Sequence, residues 1–135
     1  MADEKMFKLK IITPDRVFYD GEASMLEMDT SEGEVGIYKN HIPMTMVLVP
    51  GIVRITEADE IRTAAVHSGF VEVLQEEITI LAEIAEWPDE IDITRAEEAK
   101  VRAERRLKSS DPNINITRAE IALKKSLVRI ELSGK

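Results

Sequence analysis

Residues 93–97 read ITRAE, and the same five residues recur at 116–120, near the start of each of two helix-forming stretches. The first stretch, TRAEEAKVRAERRLK at 94–108, contains no Gly or Pro and is rich in residues of high helix propensity. The second continues to about Leu132, and SSDPN at 109–113 separates the two. Because two copies are too few for a solenoid, the pattern predicts an antiparallel αα-hairpin.

The start of each predicted helix carries a Thr followed three residues later by a Glu. Thr94 with Glu97, and Thr117 with Glu120, have the spacing of a capping box. In that motif the hydroxyl accepts a hydrogen bond from a free backbone N–H, and the glutamate accepts one from the N-cap amide. We therefore expect the two threonines to cap the two helices.

Projected at about 100° per residue, both helices carry a basic stripe beside a stripe of small residues. The basic stripes are Arg95, Arg102 and Arg106, then Arg118, Lys125 and Arg129. The small-residue stripes are Ala96, Ala99, Ala103 and Leu107, then Ala119, Ala122, Ser126 and Ile130. Packing along the small residues brings both basic stripes to one side, as a cationic groove suited to phosphate oxygens. A solvated charged face is the alternative, since Glu98 stands one turn before Arg102 as an ordinary helix pair.

Upstream of Trp87-Pro88 the chain reads as short extended segments. Apolar residues alternate with polar ones at 7–11 and 26–29, and Pro50-Gly51 and His67-Ser68-Gly69 are turn signals. We count eight to ten possible strands, which predict an antiparallel β-sandwich or flattened barrel. The predicted fold class is α+β, with a sandwich over residues 1–87 and a helical hairpin over 88–135.

Composition excludes several classes of function. The 135 residues include no Cys and two His, which excludes disulfides, thiolate zinc sites and cysteine nucleophiles and argues against any metal site. Residues 1–88 carry 7 basic and 17 acidic side chains, whereas 89–135 carry 11 and 9, so nucleic-acid binding is not expected. The chain has no run of eighteen apolar residues and no visible signal peptide, so we expect no insertion into a membrane.

Candidates for catalysis are weak. His41 stands in a predicted loop and His67 in a predicted turn, and the chain has no G-x-S-x-G, P-loop, G-x-G-x-x-G or H-E-x-x-H motif. The acidic loop at 29–34 lacks the ligand spacing of an EF-hand. We expect no catalytic residue, and a small β-sandwich hydrolase using His41 or His67 is the weakest alternative.

Several segments, in this order, resemble the epsilon subunit of bacterial F-type ATP synthase. They are TPDR at 13–16, SEGEVGIY at 31–38 followed by HIP at 41–43, PGIVRI at 50–55, SGFVEV at 68–73 and TILAE at 79–83. The resemblance implies a non-catalytic rotor subunit, bound peripherally at the cytoplasmic face of the cell membrane. Its sandwich would join the gamma subunit to the c ring at the foot of the central stalk, with Glu32, Glu34 and His41 facing the c ring.

The resemblance also implies that the hairpin regulates the enzyme. Extended along gamma, it would approach the alpha and beta subunits and block ATP hydrolysis, with Arg105, Arg106 and Lys108 as its contacts to the catalytic head. Folded against the sandwich, it would permit turnover. A seam built mostly of alanine buries little apolar area, which fits a hairpin that opens.

In Bacillus-like members of that family the folded form is held by ATP, bound and not hydrolysed, through the pattern Ile-Asp-x-x-Arg-Ala. This chain has the pattern at 91–96. The implied ATP-binding residues are Glu86, Ile91, Asp92, Arg95, Ala96, Arg102, Lys125 and Arg129. Lys125 stands where those members carry an arginine, which keeps the charge but loses the bidentate fork. The magnesium requirement stays open, and a stand-alone ATP-sensing module is the other alternative.

Overall fold

The structure, a computed structural model, describes residues 5–134. The strands are β1 (Phe7–Ile12), β2 (Val17–Ala23), β3 (Met25–Thr30), β4 (Gly33–Ile37), β5 (Met44–Leu48), β6 (Gly51–Thr56), β7 (Ile61–Val73) and β8 (Glu77–Glu86). A short 3-10 turn at Pro88–Glu90 leads to helices α1 (Ile93–Lys108) and α2 (Ile116–Ser133). The predicted β-sandwich followed by a helical hairpin is confirmed.

The strands are ordered β2-β1-β8-β7-β5-β3-β4, and β6 pairs with both β3 and β7. Every pairing is antiparallel except that of β1 with β8, which is parallel. Strict alternation on β1 buries Phe7, Leu9 and Ile11 and leaves Lys8 and Lys10 exposed. The period of two read from the sequence therefore identifies the core-facing residues of this strand.

The turn predicted at His67-Ser68-Gly69 is wrong, because β7 continues through it. Ser68 and Gly69 do have positive φ values, 59° and 149°. The strand nevertheless stays paired with β8 on both sides, with His67 opposite Ile84 and Gly69 opposite Ala82. The two residues bend β7, so that its first half pairs with β6 and its second half with β5.

The predicted capping boxes are also wrong. The Asp92 carboxylate accepts a hydrogen bond from the Arg95 amide at 3.1 Å, and the Asn115 side chain accepts one from the Arg118 amide at 3.0 Å. Each cap stands immediately before the ITRAE repeat, so Thr94 already lies inside α1. Asp and Asn are among the strongest N-cap residues, and their short side chains reach the third amide of the helix.

The hairpin is folded against the sandwich through α2. Its seam buries small residues as predicted, namely Ala96 and Ala103 of α1 with Ala119 and Ser126 of α2. Val128 and Leu132 of α2 then pack on Ala65 of β7, with Ile52 and Ile91 at the edge. This contact places the end of β8 beside the start of α1. Within residues 5–134 no helix is both long and apolar enough to cross a membrane.

Candidate functional site

A cavity of about 290 Å³ lies where the end of β8 meets both helices. Its lining residues are Glu86, Glu90, Asp92, Arg95, Ala96, Ala99, Arg102 and Arg129. Six of these are residues predicted for ATP: Glu86, Asp92, Arg95, Ala96, Arg102 and Arg129. The structure thus brings together side chains from the sandwich, α1 and α2 in one pocket. We call it the junction pocket.

The two other residues predicted for ATP lie outside the lining. Ile91 is half-buried and packs on the apolar cluster beneath α2. Lys125 borders a separate shallow groove along α2 with Asn115, Thr117 and Arg118. The expected six-cation groove is therefore divided, because α2 turns Val128 and Leu132 toward the sandwich. That rotation puts Arg129 in the junction pocket and leaves Arg118 and Lys125 on the other groove.

Two arginines of the junction pocket are available to an anion. Arg95 and Arg102 are exposed and lie seven residues apart, which places them on one face of α1. Among residues 5–134, no carboxylate oxygen lies within 4.0 Å of either guanidinium. Both retain their full set of fork-shaped donors, which match phosphate oxygens.

Glu86 connects the sandwich to α2. Its Oε1 accepts a hydrogen bond from Arg129 Nε at 2.7 Å and lies 3.3 Å from His67 Nε2. Burial by itself would raise the pKa of Glu86, but the hydrogen bonds from His67 and Arg129 outweigh it and hold the pKa below its usual value. Glu86 is therefore ionised at neutral pH and stabilises the folded position of α2.

Glu90 belongs to the pocket although the sequence analysis did not identify it. Its Oε1 accepts hydrogen bonds from Arg16 at 2.8 Å and from the Trp87 amide at 2.9 Å. The hydrogen bond from Arg16, followed by that from the amide, lowers the pKa of Glu90. Glu86 and Glu90 stand four residues apart at the end of the sandwich, but only the folded chain shows that both line this cavity.

The linker between the sandwich and the hairpin is anchored by its tryptophan. The Trp87 ring stacks on Phe18 with centroids 4.3 Å apart, and the Arg62 guanidinium lies 4.0 Å from the Trp87 ring centroid. Together with the Arg16–Glu90 ion pair, these contacts hold the linker on β2 and β7. These contacts end at Glu90, and the two residues that follow it, Ile91 and Asp92, have an extended backbone and lead directly into α1.

The residues predicted to face the c ring occupy two places. Glu32 lies in the two-residue turn between β3 and β4, and Glu34 follows on β4 opposite Asp29. Glu34 also borders a groove of about 350 Å³ beneath α2. His41 lies beyond the other end of β4, in a loop whose Asn40 amide donates to the Gln75 carbonyl at 2.8 Å. The structure does not bring His41 together with the two glutamates.

The residues predicted to contact the catalytic head lie at the far end of α1. Arg105, Arg106 and Lys108 are exposed in its last turn. Arg105 and Arg106 follow Arg102 of the junction pocket by three and four residues, about one helical turn, whereas Lys108 lies a further half turn on and faces another side of α1. They are free of the contacts that hold the hairpin to the sandwich.

A row of apolar side chains crosses the outer face of the sandwich. Val47, Phe70 and Leu81 lie opposite one another on β5, β7 and β8 and are 47%, 56% and 54% exposed. Ile12 of β1 continues the row beside Leu81. Contiguous exposed apolar surface of this kind is typical of a protein–protein contact. Strand alternation alone does not predict this row, because it does not tell which face of the sheet another protein covers.

The two histidines show no catalytic arrangement. The His67 side chain is fully buried behind Glu86, where no substrate reaches it. His41 Nδ1 lies 2.8 Å from the Ile42 carbonyl oxygen in an exposed loop. Within residues 5–134 no three side chains of metal-ligating type gather as they would around an ion.

Two family models match the chain along nearly its whole length. The model described as ATP synthase, Delta/Epsilon chain, beta-sandwich domain matches residues 6–88, and that for the long alpha-helix domain of the same chain matches 89–134. A two-part subunit of ATP synthase, with a β-sandwich followed by helices, is therefore the class that fold and sequence define. The chain belongs to the delta/epsilon family of ATP synthase subunits.

Its relatives carry the name of one member of that family. The ATP synthase epsilon chain of Clostridium novyi is 46% identical over 129 residues, 95% of this chain and 98% of the relative. That of Halalkalibacterium halodurans is 41% identical over 128 residues, 94% and 96% of the two chains. The predicted resemblance is confirmed, and with it the assignment to a subunit that is not itself catalytic.

A solved structure shares the fold. A chain in the cryo-EM structure of Euglena gracilis mitochondrial ATP synthase, OSCP/F1/c-ring, superposes with a TM-score of 0.83 at 22% identity. The match covers 96% of this chain and 82% of that chain. At this identity the likeness supports the two-part architecture.

Proposed function

We propose that the chain is a rotor subunit of the central stalk of a proton-translocating ATP synthase, and that ATP in the junction pocket keeps its inhibitory hairpin folded. The observation that carries the proposal is the composition of the pocket. Its walls come from β8, α1 and α2, so a ligand held there touches all three only while the hairpin is folded. Such a ligand shifts the equilibrium toward the folded form by its differential affinity.

The pocket suits part of a nucleotide. At about 290 Å³ it lies at the low end of small-molecule sites, so part of a bound ATP would stay in solvent. Arg95 and Arg102 suit its phosphates, whereas Asp92 and Glu86 accept hydrogen bonds from hydroxyl or amino groups. Ala96 and Ala99 leave room for a flat ring. Free ATP at 100 times its dissociation constant would stabilise the folded hairpin by about 2.7 kcal/mol.

The sandwich supplies the contacts to the rotor. The apolar row of Val47, Phe70 and Leu81 suits the gamma subunit, and the turn with Glu32 and Glu34 and the loop with His41 suit the c ring. Tyr38 and Ile42 are exposed in that loop. In the extended form, Arg105, Arg106 and Lys108 would meet acidic surfaces of the alpha and beta subunits. The chain would thus lie at the cytoplasmic face of the membrane as a peripheral part of the complex.

Titration calorimetry with MgATP tests the site. The wild-type chain is expected to bind, and an Asp92→Ala/Arg95→Ala double variant is expected to bind at least about tenfold more weakly, because a charge-assisted hydrogen bond contributes about 1.5–3 kcal/mol. A Lys100→Ala/Lys108→Ala variant is the matched control, since it removes two charges of the same helix at positions outside the pocket lining. Absence of binding by the wild type, or equal weakening in the control, would overturn the site.

Co-purification separates the proposal from a stand-alone ATP sensor. A stalk subunit is expected to purify with gamma through its sandwich whether or not ATP is present. A sensor that works alone has no reason to bind gamma, so recovery of the chain without gamma would favour that alternative.

A further inference from the structure

His67 is a buried titratable side chain directly behind the junction pocket. It lies midway along β7 with a side chain that is 0% exposed, and its Nε2 lies 3.3 Å from Glu86 Oε1. Glu86 faces the pocket and holds Arg129 of α2 through the same oxygen. His67, Glu86 and Arg129 therefore form one chain of contacts from the sandwich through the pocket wall to the hairpin.

The geometry defines the protonation state that fits this site. A neutral imidazole with its proton on Nε2 donates to Glu86, and the other ring nitrogen, Nδ1, then needs no acceptor of its own. Nδ1 is buried with no hydrogen-bond partner among the described residues. A second proton on the ring would place a buried N–H donor where no acceptor lies, which carries a substantial desolvation cost.

The charges that act on His67 come from two elements. β8 supplies Glu86, whereas α2 supplies the cations Arg129 and Lys125. Burial lowers the pKa of His67 most, the hydrogen bond to Glu86 opposes that effect, and the two cations lower the pKa further. Both cations leave with α2 when the hairpin opens, and opening also lets water reach the ring.

We propose that His67 is a positioning residue for the junction pocket, and that its protonation releases the Glu86–Arg129 contact so that acidification opens the hairpin. The link to nucleotide affinity rests on the proposed function, but the docking of α2 does not. Acid and loss of ATP would then act on the same hinge and in the same direction.

The direction follows from proton linkage. The open state binds the proton more tightly, because its His67 returns toward the ordinary pKa of about 6.5. The folded hairpin therefore keeps its full stability above about pH 6.5. Below that pH the folded-to-open ratio falls by up to about tenfold per pH unit, until the lower pKa of the folded state is reached.

A pair of spin labels measures docking without nucleotide. The chain has no native cysteine, so Arg54→Cys on β6 and Glu131→Cys on α2, which border the same groove, give one defined distance. The wild-type background is expected to lose up to about fivefold in folded-to-open ratio between pH 6.5 and 5.5, because His67 of the open state is already half protonated at pH 6.5. A His67→Gln variant donates to Glu86 without titrating and is expected to change less than twofold. Equal pH dependence in both, or none in either, would overturn the proposal.

A second variant decides the matter if His67→Gln is already open at pH 8. Lys125→Gln removes one of the two cations and leaves His67 in place. It removes one of the cations that lower the pKa of His67 in the folded state, so the fall in folded-to-open ratio is expected to end at a higher pH than in the wild type. Absence of any fall below pH 6.5 in this variant would overturn the proposal. Thermal unfolding of the sandwich, followed by Trp87 fluorescence, checks that both variants retain the β-fold.

MgATP titration at pH 8 and pH 6 extends the test to nucleotide. Only chains with a folded hairpin bind ATP, so the apparent affinity falls in proportion to the fraction of folded chains. Between pH 8 and pH 6 the wild type is therefore expected to lose more affinity for MgATP than His67→Gln does. Comparing the two proteins at each pH cancels protonation of ATP itself. If neither binds ATP at pH 8, the proposed function fails, while the pH dependence of docking still decides the role of His67.

Discussion

Replacing Glu86 with glutamine is expected to open the hairpin, with a fall of about ten- to a hundredfold in the folded-to-open ratio, since a hydrogen bond to a charged group contributes about 1.5–3 kcal/mol. Glu86→Gln keeps the shape of the side chain but removes the charge that faces Arg129. The Arg129 guanidinium, with only 25% of its side chain exposed, would be left without a carboxylate partner. Leaving one member of a partly buried pair unpaired is more costly than never forming the pair.

The measurement is the label-to-label distance between β6 and α2 at pH 8, with and without MgATP. Glu83→Gln is the matched control, because Glu83 is an exposed glutamate on the same strand and belongs to no pocket on the helix side. It is expected to leave docking unchanged. A Glu86→Gln hairpin that stays folded to within twofold of wild type would show that α2 is held by its apolar contacts alone.

Replacing Gly69 with alanine is expected to lower the free energy of unfolding by at least about 3 kcal/mol, through backbone strain and a steric clash together. Gly69 has a φ of +149°, and an added Cβ would overlap the Leu81 carbonyl oxygen. That oxygen belongs to the backbone of β8 and cannot turn away. The bend that carries β7 from β6 to β5 would have to move, and with it the pairing of the central strands.

Gly33→Ala is the matched comparison, because it introduces the backbone strain of a positive φ without a steric clash. Gly33 has a φ of +116°, but apart from Gly33 and its two chain neighbours no heavy atom of residues 5–134 lies within 4 Å of the position of its Cβ. We expect a loss of about 1 kcal/mol there. Urea unfolding of both variants gives the two values. An equal decrease in the free energy of unfolding at the two positions would mean that the steric clash between β7 and β8 is not the main source of the destabilisation at Gly69.

The two-part architecture could be predicted because the pattern of apolar residues repeats every two residues in the sandwich and with the helical period in the hairpin. Alternation of Phe7, Leu9 and Ile11 with lysines indicates a strand with one buried face, and the ITRAE repeats indicate two helices. The exact helix starts could not be predicted as securely, because Asp92 and Thr94 are both good N-cap residues. Only the backbone path shows that the first of them lies at the helix end.

The junction pocket was predictable in part. Arg95 and Arg102 share a face by helical period alone, whereas Glu86 and Arg129 are 43 residues apart and meet only after α2 docks. The resemblance to a known family supplied those two positions. The resemblance implied Lys125 as well, and the helix wheel put it on one stripe with Arg129, but neither carries information about how α2 rotates on the sandwich. His67 was misread because a positive φ at Ser68 and Gly69 bends a strand as readily as it reverses one.

The most direct test of the central claim is the rate of ATP hydrolysis by the assembled complex as ATP concentration is varied. One complex carries the wild-type chain and the other carries Asp92→Ala/Arg95→Ala. Our account predicts that both are inhibited at low ATP, and that only the wild-type complex is released as ATP rises and holds the hairpin folded. Identical rates for the two complexes at every ATP concentration would contradict it.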